Sequence, residues 1–231
     1  MDYIVARSFN YLYIILDIAW LLIFTAILLQ RKKYTAIVVG LLAGIVYVIV
    51  DYGIFYRLLG TREVYGANTF LLLFWLSMSY GFTNFTWIWL LLDRDGHSLE
   101  WSLLPILGWL AVGLLSISGN GTFPQVTIQR QVASYHGYMA AILAAGYLLL
   151  IVHNLQAENS EERAPINRLL LIGIGVQLAW EAALLITGIR PAGIKPIVLN
   201  SLIETNLGMP YIYLIHRRYA LRSIRLRERT A

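Results

Sequence analysis

Long apolar runs separated by short polar stretches make up most of this chain. Seven runs are long enough to form a helix across the roughly 30 Å hydrocarbon core of a bilayer, which takes about 20 residues. They cover residues 9–29, 35–56, 68–92, 98–118, 134–153, 167–189 and 196–216. The pattern predicts an all-α integral membrane protein, with a single seven-helix transmembrane domain over residues 1–216.

The composition supports a membrane protein. Hydrophobic residues make up 58% of the chain and charged residues only 13%, a balance that is not typical of soluble domains. Most basic residues lie at the ends of the apolar runs, and the densest group is the tail 217–231. Because Lys and Arg favour the cytoplasmic side, we expect the N-terminus outside, the C-terminus inside and a basic cytoplasmic tail. In this orientation the outer side receives the smaller number of basic residues: Arg7, Arg57, Arg62, Arg130, Arg190 and Lys195. The expected location is the cell membrane or the endoplasmic reticulum membrane.

Several classes of site are disfavoured by the sequence. The net charge of +5 comes largely from positions next to the spans, which indicates contact with anionic lipid rather than nucleic acid. There is no cysteine, and no histidine pair or HExxH motif has the spacing of a metal site. A retinal pigment would need a lysine in the middle of the last span, whereas Lys195 lies at its mouth. We therefore expect no metal and no cofactor.

Four acidic residues lie inside the apolar runs, where burying an ionisable group costs several kcal/mol. They are Asp17, Asp51, Glu181 and Glu204. With the N-terminus outside and a helical rise of 1.5 Å per residue, all four lie roughly 8–12 Å below the outer surface. This shared level predicts a polar chamber in the outer half of the bundle. Uncompensated carboxylates in such a chamber favour protonation, which makes them candidate general acids.

Aromatic and amide side chains accompany these acids. Tyr47 and Phe55 lie four residues to either side of Asp51 and share its helical face. Aromatic faces in a closed chamber stabilise cations, although helix packing and anchoring at the membrane interface are the alternative interpretation of the rings. For Asp17 the alternative is a hydrogen bond to a neighbouring helix. The candidate substrate-binding residues are Asp17, Tyr47, Phe55, Trp75, Tyr80, Trp180, Asn200 and Asn206.

Two of the acids carry a family resemblance. The second span contains VIVDYGIFY around Asp51, and the seventh contains IETNLGMPYIYLI, which begins one residue before Glu204. The chain resembles the small seven-helix membrane-bound terpene cyclases of fungal meroterpenoid and indole-diterpene pathways and their bacterial relatives, whose key acids occupy these two spans. The family typically has Trp-Glu in the second span and Asp in the seventh. Here the two acid types are exchanged, and the Trp-Glu pair is Trp180-Glu181 in the sixth span.

The resemblance implies a cyclisation that is started by protonation and needs no metal. Such a reaction uses a neutral carboxylic acid in a dry site, aromatic faces over carbocations and a base for the final proton. We expect Asp51 and Glu204 to be the acid and the base, with Glu181 assisting, and the substrate to be a lipophilic prenylated epoxide or alkene from the bilayer. The alternatives are a transporter or channel for a cation or organic amine, and a seven-helix protein that binds a lipid-like ligand unchanged.

Overall fold

The computed structural model describes residues 4–131, 136–191 and 193–230, and most of these residues are helical. Each of the seven predicted runs contains helix. The helix of the fifth run is described from His136 onward, and the predicted start of that run, Ser134, lies outside the described residues. The helices are α1 (Tyr11–Gln30), α2 (Tyr34–Val48), α3 (Thr69–Asp93), α4 (Ser98–Ser116), α5 (His136–Gln156), α6 (Ile166–Ile186), α7 (Ile194–Ile203) and α8 (Met209–Thr230). A π-helix, Ile49–Leu58, continues α2, and 3₁₀ turns cover Ile117–Gly119, Ser160–Glu162 and Asn206–Gly208.

Five helical segments of the described chain are long and apolar enough to cross a membrane. Their outward faces are lined with exposed leucines such as Leu22, Leu41, Leu148 and Leu171, which suits contact with lipid. The five segments are Tyr11–Gln30, Tyr34–Leu58, Ser98–Gly119, Gly137–Gln156 and Ile166–Ile186. This agrees with the prediction of a membrane protein.

The third helix is different, because it is the centre of the bundle. Along α3 the buried positions include Ser77, Thr83 and Asn84, polar side chains that protein neighbours surround in place of lipid. Helix α2 packs most closely on it: a Cβ added to Gly81 would lie 2.6 Å from Gly44 Cα, so only glycine allows this backbone contact. Helices α1, α4, α6 and α8 also contact α3.

The last predicted span, 196–216, is not one continuous helix. Helix α7 ends at Ile203, a 3₁₀ turn follows at Asn206–Gly208, and α8 begins at Met209. Glu204 therefore lies in a break of the helix, next to backbone that neighbouring helices must cover in a membrane. Helix α8 continues from the bundle through residues 217–230, which belong to the predicted basic tail.

The all-α prediction is wrong at one end of the bundle, where three predicted non-helical segments form an antiparallel sheet. Strands β1 (Ile4–Asn10), β3 (Gln125–Gln131) and β2 (Arg62–Tyr65) pair in that order, with β3 in the middle. Val126 and Ile128 point into the bundle and are fully buried, so the sheet has an apolar inner face. We call this the sheet end, and the opposite end, from which α8 projects, the tail end.

Candidate functional site

Three arginines lie on the inner face of the sheet. Arg62 is paired directly with Arg130 across β2 and β3, and Arg7 is paired with Ile128 across β1 and β3. Side chains two residues apart on a strand point to the same face, so all three arginines share the face of the buried Ile128. Arg7 and Arg62 are each only 4% exposed. The sheet thus directs positive charge towards the helices beneath it.

Asp51 binds two of these arginines. Arg62 Nε donates a hydrogen bond to Asp51 Oδ1 over 2.7 Å, and Arg130 Nη2 lies 3.4 Å from Oδ2. The Arg62 guanidinium also lies over the ring of Phe55, 4.5 Å from its centroid. Asp51 itself belongs to the π-helix, a form that recurs at functional sites. It is therefore a buried carboxylate whose charge two guanidinium groups compensate.

Glu181 is compensated in the same way. It is fully buried on α6 and forms an ion pair with Arg190, while Arg7 Nη2 lies 3.5 Å from its Oε1. Asn200 Nδ2 donates to the same Oε1 over 3.0 Å. Gly188 makes the Arg190 contact possible: its φ of +72° is left-handed and reverses the chain after α6.

Glu204 is the exception among the clustered acids. It is half-buried in the break after α7, and Gln177 Nε2 donates a hydrogen bond to its Oε2 over 3.0 Å. Within the described part of the chain, Glu204 forms no ion pair, and its Oε1 accepts no hydrogen bond. Among the described residues, Glu204 is thus the one of the three clustered acids that is not paired with an arginine.

Gln177 connects Glu204 to the rest of the cluster, and its side-chain amide uses both of its N–H donors and accepts two hydrogen bonds. Its Nε2 donates to Glu204 and, over 3.2 Å, to Glu181 Oε1. Its Oε1 accepts from the Tyr80 hydroxyl over 2.5 Å and from the Thr205 hydroxyl. This set of partners fixes the amide in one orientation, with its nitrogen towards the two carboxylates.

Aromatic rings cluster around Tyr80, which shares the Gln177 amide with Glu204. The ring of Tyr47 lies 4.9 Å from that of Tyr80 and 5.9 Å from that of Phe85, both on α3. Trp180 continues the group, 6.1 Å from Tyr80. The predicted residues Tyr47, Tyr80 and Trp180 are therefore neighbours. Phe85 belongs with them, although sequence reasoning did not select it as a binding residue.

Other predicted residues lie outside this group. Asp17 accepts a hydrogen bond from Trp75 Nε1 over 2.9 Å, which joins α1 to α3 and matches the alternative interpretation of Asp17. Asn206 accepts from the Tyr147 hydroxyl over 2.6 Å and lies on the far side of the break. The structure thus groups Asp51, Glu181 and Glu204, and Asp17 bonds separately with Trp75.

The expectation that the acids are uncompensated is wrong. Arg7, Arg62, Arg130 and Arg190 neutralise Asp51 and Glu181, yet sequence analysis took all four for charges of external loops. The alternation of residues in β3 could have indicated this pairing. Val126, Ile128 and Arg130 occupy every second position of the strand, so Arg130 lies on the same face as two apolar residues. A four- to seven-residue strand gives this pattern few repeats.

Arg7 is a charged group outside the helices whose pKa is strongly shifted. Burial, followed by the nearby positive charge of Arg130, lowers the pKa of Arg7 to about 10, and the charges of Glu204, Tyr80 and Tyr13 oppose this change. Arg7 still carries its proton at neutral pH. The lowered value reports a guanidinium that is held away from water.

Two cavities lie away from the acids. The larger, of about 610 Å³, is an apolar groove between α1 and α4 that contains Trp20 and Leu107 and faces outward. The smaller, of about 200 Å³, lies beneath the sheet at Asn10 and Thr187. Around Asp51 and Glu181, arginine and amide side chains occupy the predicted chamber.

No protein-family model, no curated protein and no solved structure matches the chain. The resemblance to membrane-bound terpene cyclases therefore stays a prediction.

Proposed function

We propose that the protein is a membrane-embedded cyclase in which Glu204 acts as the general acid on a lipophilic prenylated substrate. The observation that carries the proposal is the difference among the three clustered acids: Asp51 and Glu181 are paired with arginines, whereas Glu204 has a single amide donor and lies beside aromatic rings. A carboxylic acid in such a dry site supplies a proton. This revises the sequence-based roles, because Asp51 and Glu181 become anionic anchors.

The chemistry is an isomerisation with no net proton change. Glu204 Oε1 gives its proton to an epoxide oxygen or an alkene carbon of the substrate. In the epoxide case a C–O bond breaks, and the electron pair of a nearby alkene closes a C–C bond. The cation that results lies against Tyr47, Tyr80 and Phe85, whose faces stabilise it. Loss of a proton from carbon to the Glu204 carboxylate forms an alkene and restores the acid.

The arrangement of the helices favours access from the bilayer. The sheet covers one end of the acid cluster. At the tail end α2 meets α8, where the Thr35 and Tyr219 hydroxyls lie 2.9 Å apart. Between these ends α2 packs mainly on α3, and α7 packs mainly on α6. A lipophilic chain therefore approaches Glu204 between α2 and α7.

The arginine–carboxylate pairs also bear on the orientation of the protein in the membrane. Arg7, Arg62, Arg130 and Arg190, which were counted at the outer side, pair with carboxylates, so they do not act as free loop charges. Arg31, Lys32, Lys33 and Arg94 remain at the tail end together with the basic part of α8. This difference strengthens the bias towards a cytoplasmic tail end. We place the N-terminus and the sheet outside the cell or in the lumen.

The transporter alternative has weaker support. A binding site for a cation or an organic amine needs unpaired negative charge. Here four guanidinium groups surround Asp51 and Glu181, and they would repel such a ligand. The lipid-binding alternative differs from the enzyme only in leaving its ligand unchanged, so the same experiment separates the two.

The test uses purified protein in detergent, incubated with prenylated epoxides and polyprenyl alcohols and then extracted for chromatography and mass spectrometry. We expect an isomer of unchanged mass and altered retention time. Glu204→Gln should lose the product while keeping its fold. The matched control is Glu63→Gln, an exposed acid on the outer face of β2, which should keep full activity. An active Glu204→Gln would overturn the role of Glu204, and recovery of every compound unchanged would leave a ligand-binding protein.

A further inference from the structure

Arg7 has an unusual environment for a buried arginine. Its side chain is 5% exposed, and within the described residues its guanidinium makes no hydrogen bond. Its one ion contact joins Nη2 to Glu181 Oε1 at 3.5 Å. An arginine has five N–H donors, and leaving a buried charged group without hydrogen bonds is strongly unfavourable. The contrast with Arg62 is clear, since that guanidinium donates to Asp51 over 2.7 Å and to Thr61 O over 3.2 Å.

Glu181 does not supply the missing partner, because other groups already engage it. Its Oε1 accepts from Asn200 over 3.0 Å and from Gln177 over 3.2 Å, and its Oε2 faces Arg190. The contact with Arg7 is the longest of these. The Glu181 carboxylate is therefore compensated and hydrogen-bonded without Arg7.

The charges of the cluster also favour an anionic ligand at Arg7. In the described part of the chain, Arg7, Arg62, Arg130 and Arg190 face the carboxyls of Asp51, Glu181 and Glu204. Arg7 adds a buried positive charge to this group, and its nearest carboxylate, Glu181, is also bound by Arg190. A buried positive charge that is incompletely compensated is stabilised by an anion. The planar N–H fork of arginine fits a phosphate or a carboxylate.

Arg7 is also well placed along the path of a substrate. It lies on the inner face of β1, close enough to Glu204 and Tyr80 for their charges to act on it. A ligand whose anionic group binds Arg7 can extend its apolar part past Glu204 towards Tyr47 and Phe85. This order matches an amphipathic molecule with its polar group under the sheet.

We propose that Arg7 binds the oxyanion of an amphipathic prenyl ligand, a phosphate or carboxylate at one end of the chain. The identification of the apolar part as a prenyl chain rests on the proposed function, whereas the oxyanion site follows from Arg7. The same chemistry could come from inorganic phosphate or from the headgroup of an anionic phospholipid, so the experiment has an arm for each source.

The experiment measures binding to the full chain in detergent by the quenching of tryptophan fluorescence. The probes are geranylgeranyl phosphate, geranylgeraniol and inorganic phosphate, with phosphatidylglycerol in mixed micelles as a competitor. We expect the prenyl phosphate to bind at least tenfold more tightly than the alcohol. This preference should disappear in Arg7→Gln and persist in Arg57→Gln, a change of an exposed arginine at the same end of the bundle. Arg7→Lys keeps the positive charge but lacks the planar set of N–H donors, so it should retain part of the preference. This variant replaces Arg7→Gln in the test if Arg7→Gln does not fold.

Three results would overturn the proposal: equal binding of phosphate and alcohol, a preference that survives the change of Arg7, or displacement by phosphatidylglycerol or inorganic phosphate at similar concentrations. Because binding needs no turnover, the outcome is separate from that of the cyclase test. A phosphate preference without cyclised product keeps the Arg7 site and removes the enzyme.

Discussion

The two ends of the bundle use the same kinds of charged residues in opposite surroundings. At the sheet end, Arg62 and Asp51 form a pair whose side chains are 3% and 10% exposed. At the tail end, Lys33 and Asp95 form an equally short pair of 2.7 Å, but their side chains are 21% and 20% exposed. Water and mobile ions therefore screen the second pair much more than the first.

This difference teaches what each set of charges does for the protein. Separating the two charges of a buried ion pair leaves each of them uncompensated in the protein interior, which costs several kcal/mol, so the geometry of the pair is fixed. A partly exposed pair exchanges with water at little cost. The sheet end is thus a rigid arrangement that positions Gln177 and Glu204, and the tail end is a solvated surface. Four predictions test this comparison.

The largest effect is expected at the sheet end, on removing one partner of a buried pair. Arg62→Leu leaves Asp51 with the longer contact to Arg130 and should lower the free energy of unfolding by about 3–5 kcal/mol. Equilibrium unfolding in detergent measures the change. Arg57→Leu, at an exposed position of the π-helix, should stay within about 0.5 kcal/mol of the parent protein. Similar losses in both variants would contradict a special role for the buried pair.

A second effect concerns the apolar support of the sheet. Ile128→Ala removes a fully buried side chain from the centre of β3 and should cost about 2–4 kcal/mol. Amide hydrogen exchange should increase in β1, β2 and β3 while α8 is unchanged. Gln125→Ala, at an exposed position of the same strand, is the control and should leave exchange unaltered. Uniform loosening of both ends would show that the sheet is not a separate rigid element.

A smaller effect is expected at the tail end. Lys33→Gln removes the ion pair with Asp95 and the weaker contact with Asp93, and the loss should be about 0.2–1 kcal/mol. High salt should reduce the difference from the parent protein, because it screens the pair that was removed. Lys32→Gln, its exposed neighbour, provides the control. A loss as large as that of Arg62→Leu would erase the distinction between the two ends.

The smallest effect is a dependence on pH. Burial raises the pKa of Asp95, but hydrogen bonds from Lys33, Trp101 and the His97 backbone outweigh it and lower the pKa to about 2. Asp95 therefore stabilises the fold above its ordinary pKa of 3.8, and this contribution is lost as the pH falls towards about 2. The change should be below about 1 kcal/mol because water screens the group. In acid titrations the parent protein should be more stable than Asp95→Asn above about pH 3.8, and the two curves should converge as the pH falls towards about 2.

The helices could be predicted from the sequence because each requires about 20 consecutive apolar residues, a strong signal. The sheet could not, since its strands are four to seven residues long and pair with distant segments: Tyr65 of β2 pairs with Thr127, and Ser8 of β1 pairs with the same residue from more than a hundred positions away. The break after Ile203 was also missed. Apolar residues continue on both sides of Glu204, so hydropathy shows a single span there.

At the site, the acids were visible from the sequence and their partners were not. Asp51, Glu181 and Glu204 are conspicuous in apolar runs, whereas an arginine beside a span looks like any loop residue. The assignment of Arg7, Arg62 and Arg130 to buried carboxylates depends on the register of the sheet. That register follows from pairing between distant segments, which no local pattern encodes.

The sheet also has a consequence for biosynthesis. Its central strand, β3, is the last of the three to leave the ribosome, so β1 and β2 have no partner until residue 131 has been made. Arg130 reaches Asp51 from 79 positions further along the chain, and Arg190 reaches Glu181 only after α6 is complete. The first two helices are therefore complete while Asp51 still lacks part of its counter-charge. Assembly of the sheet end is a late event, after much of the chain has been synthesised.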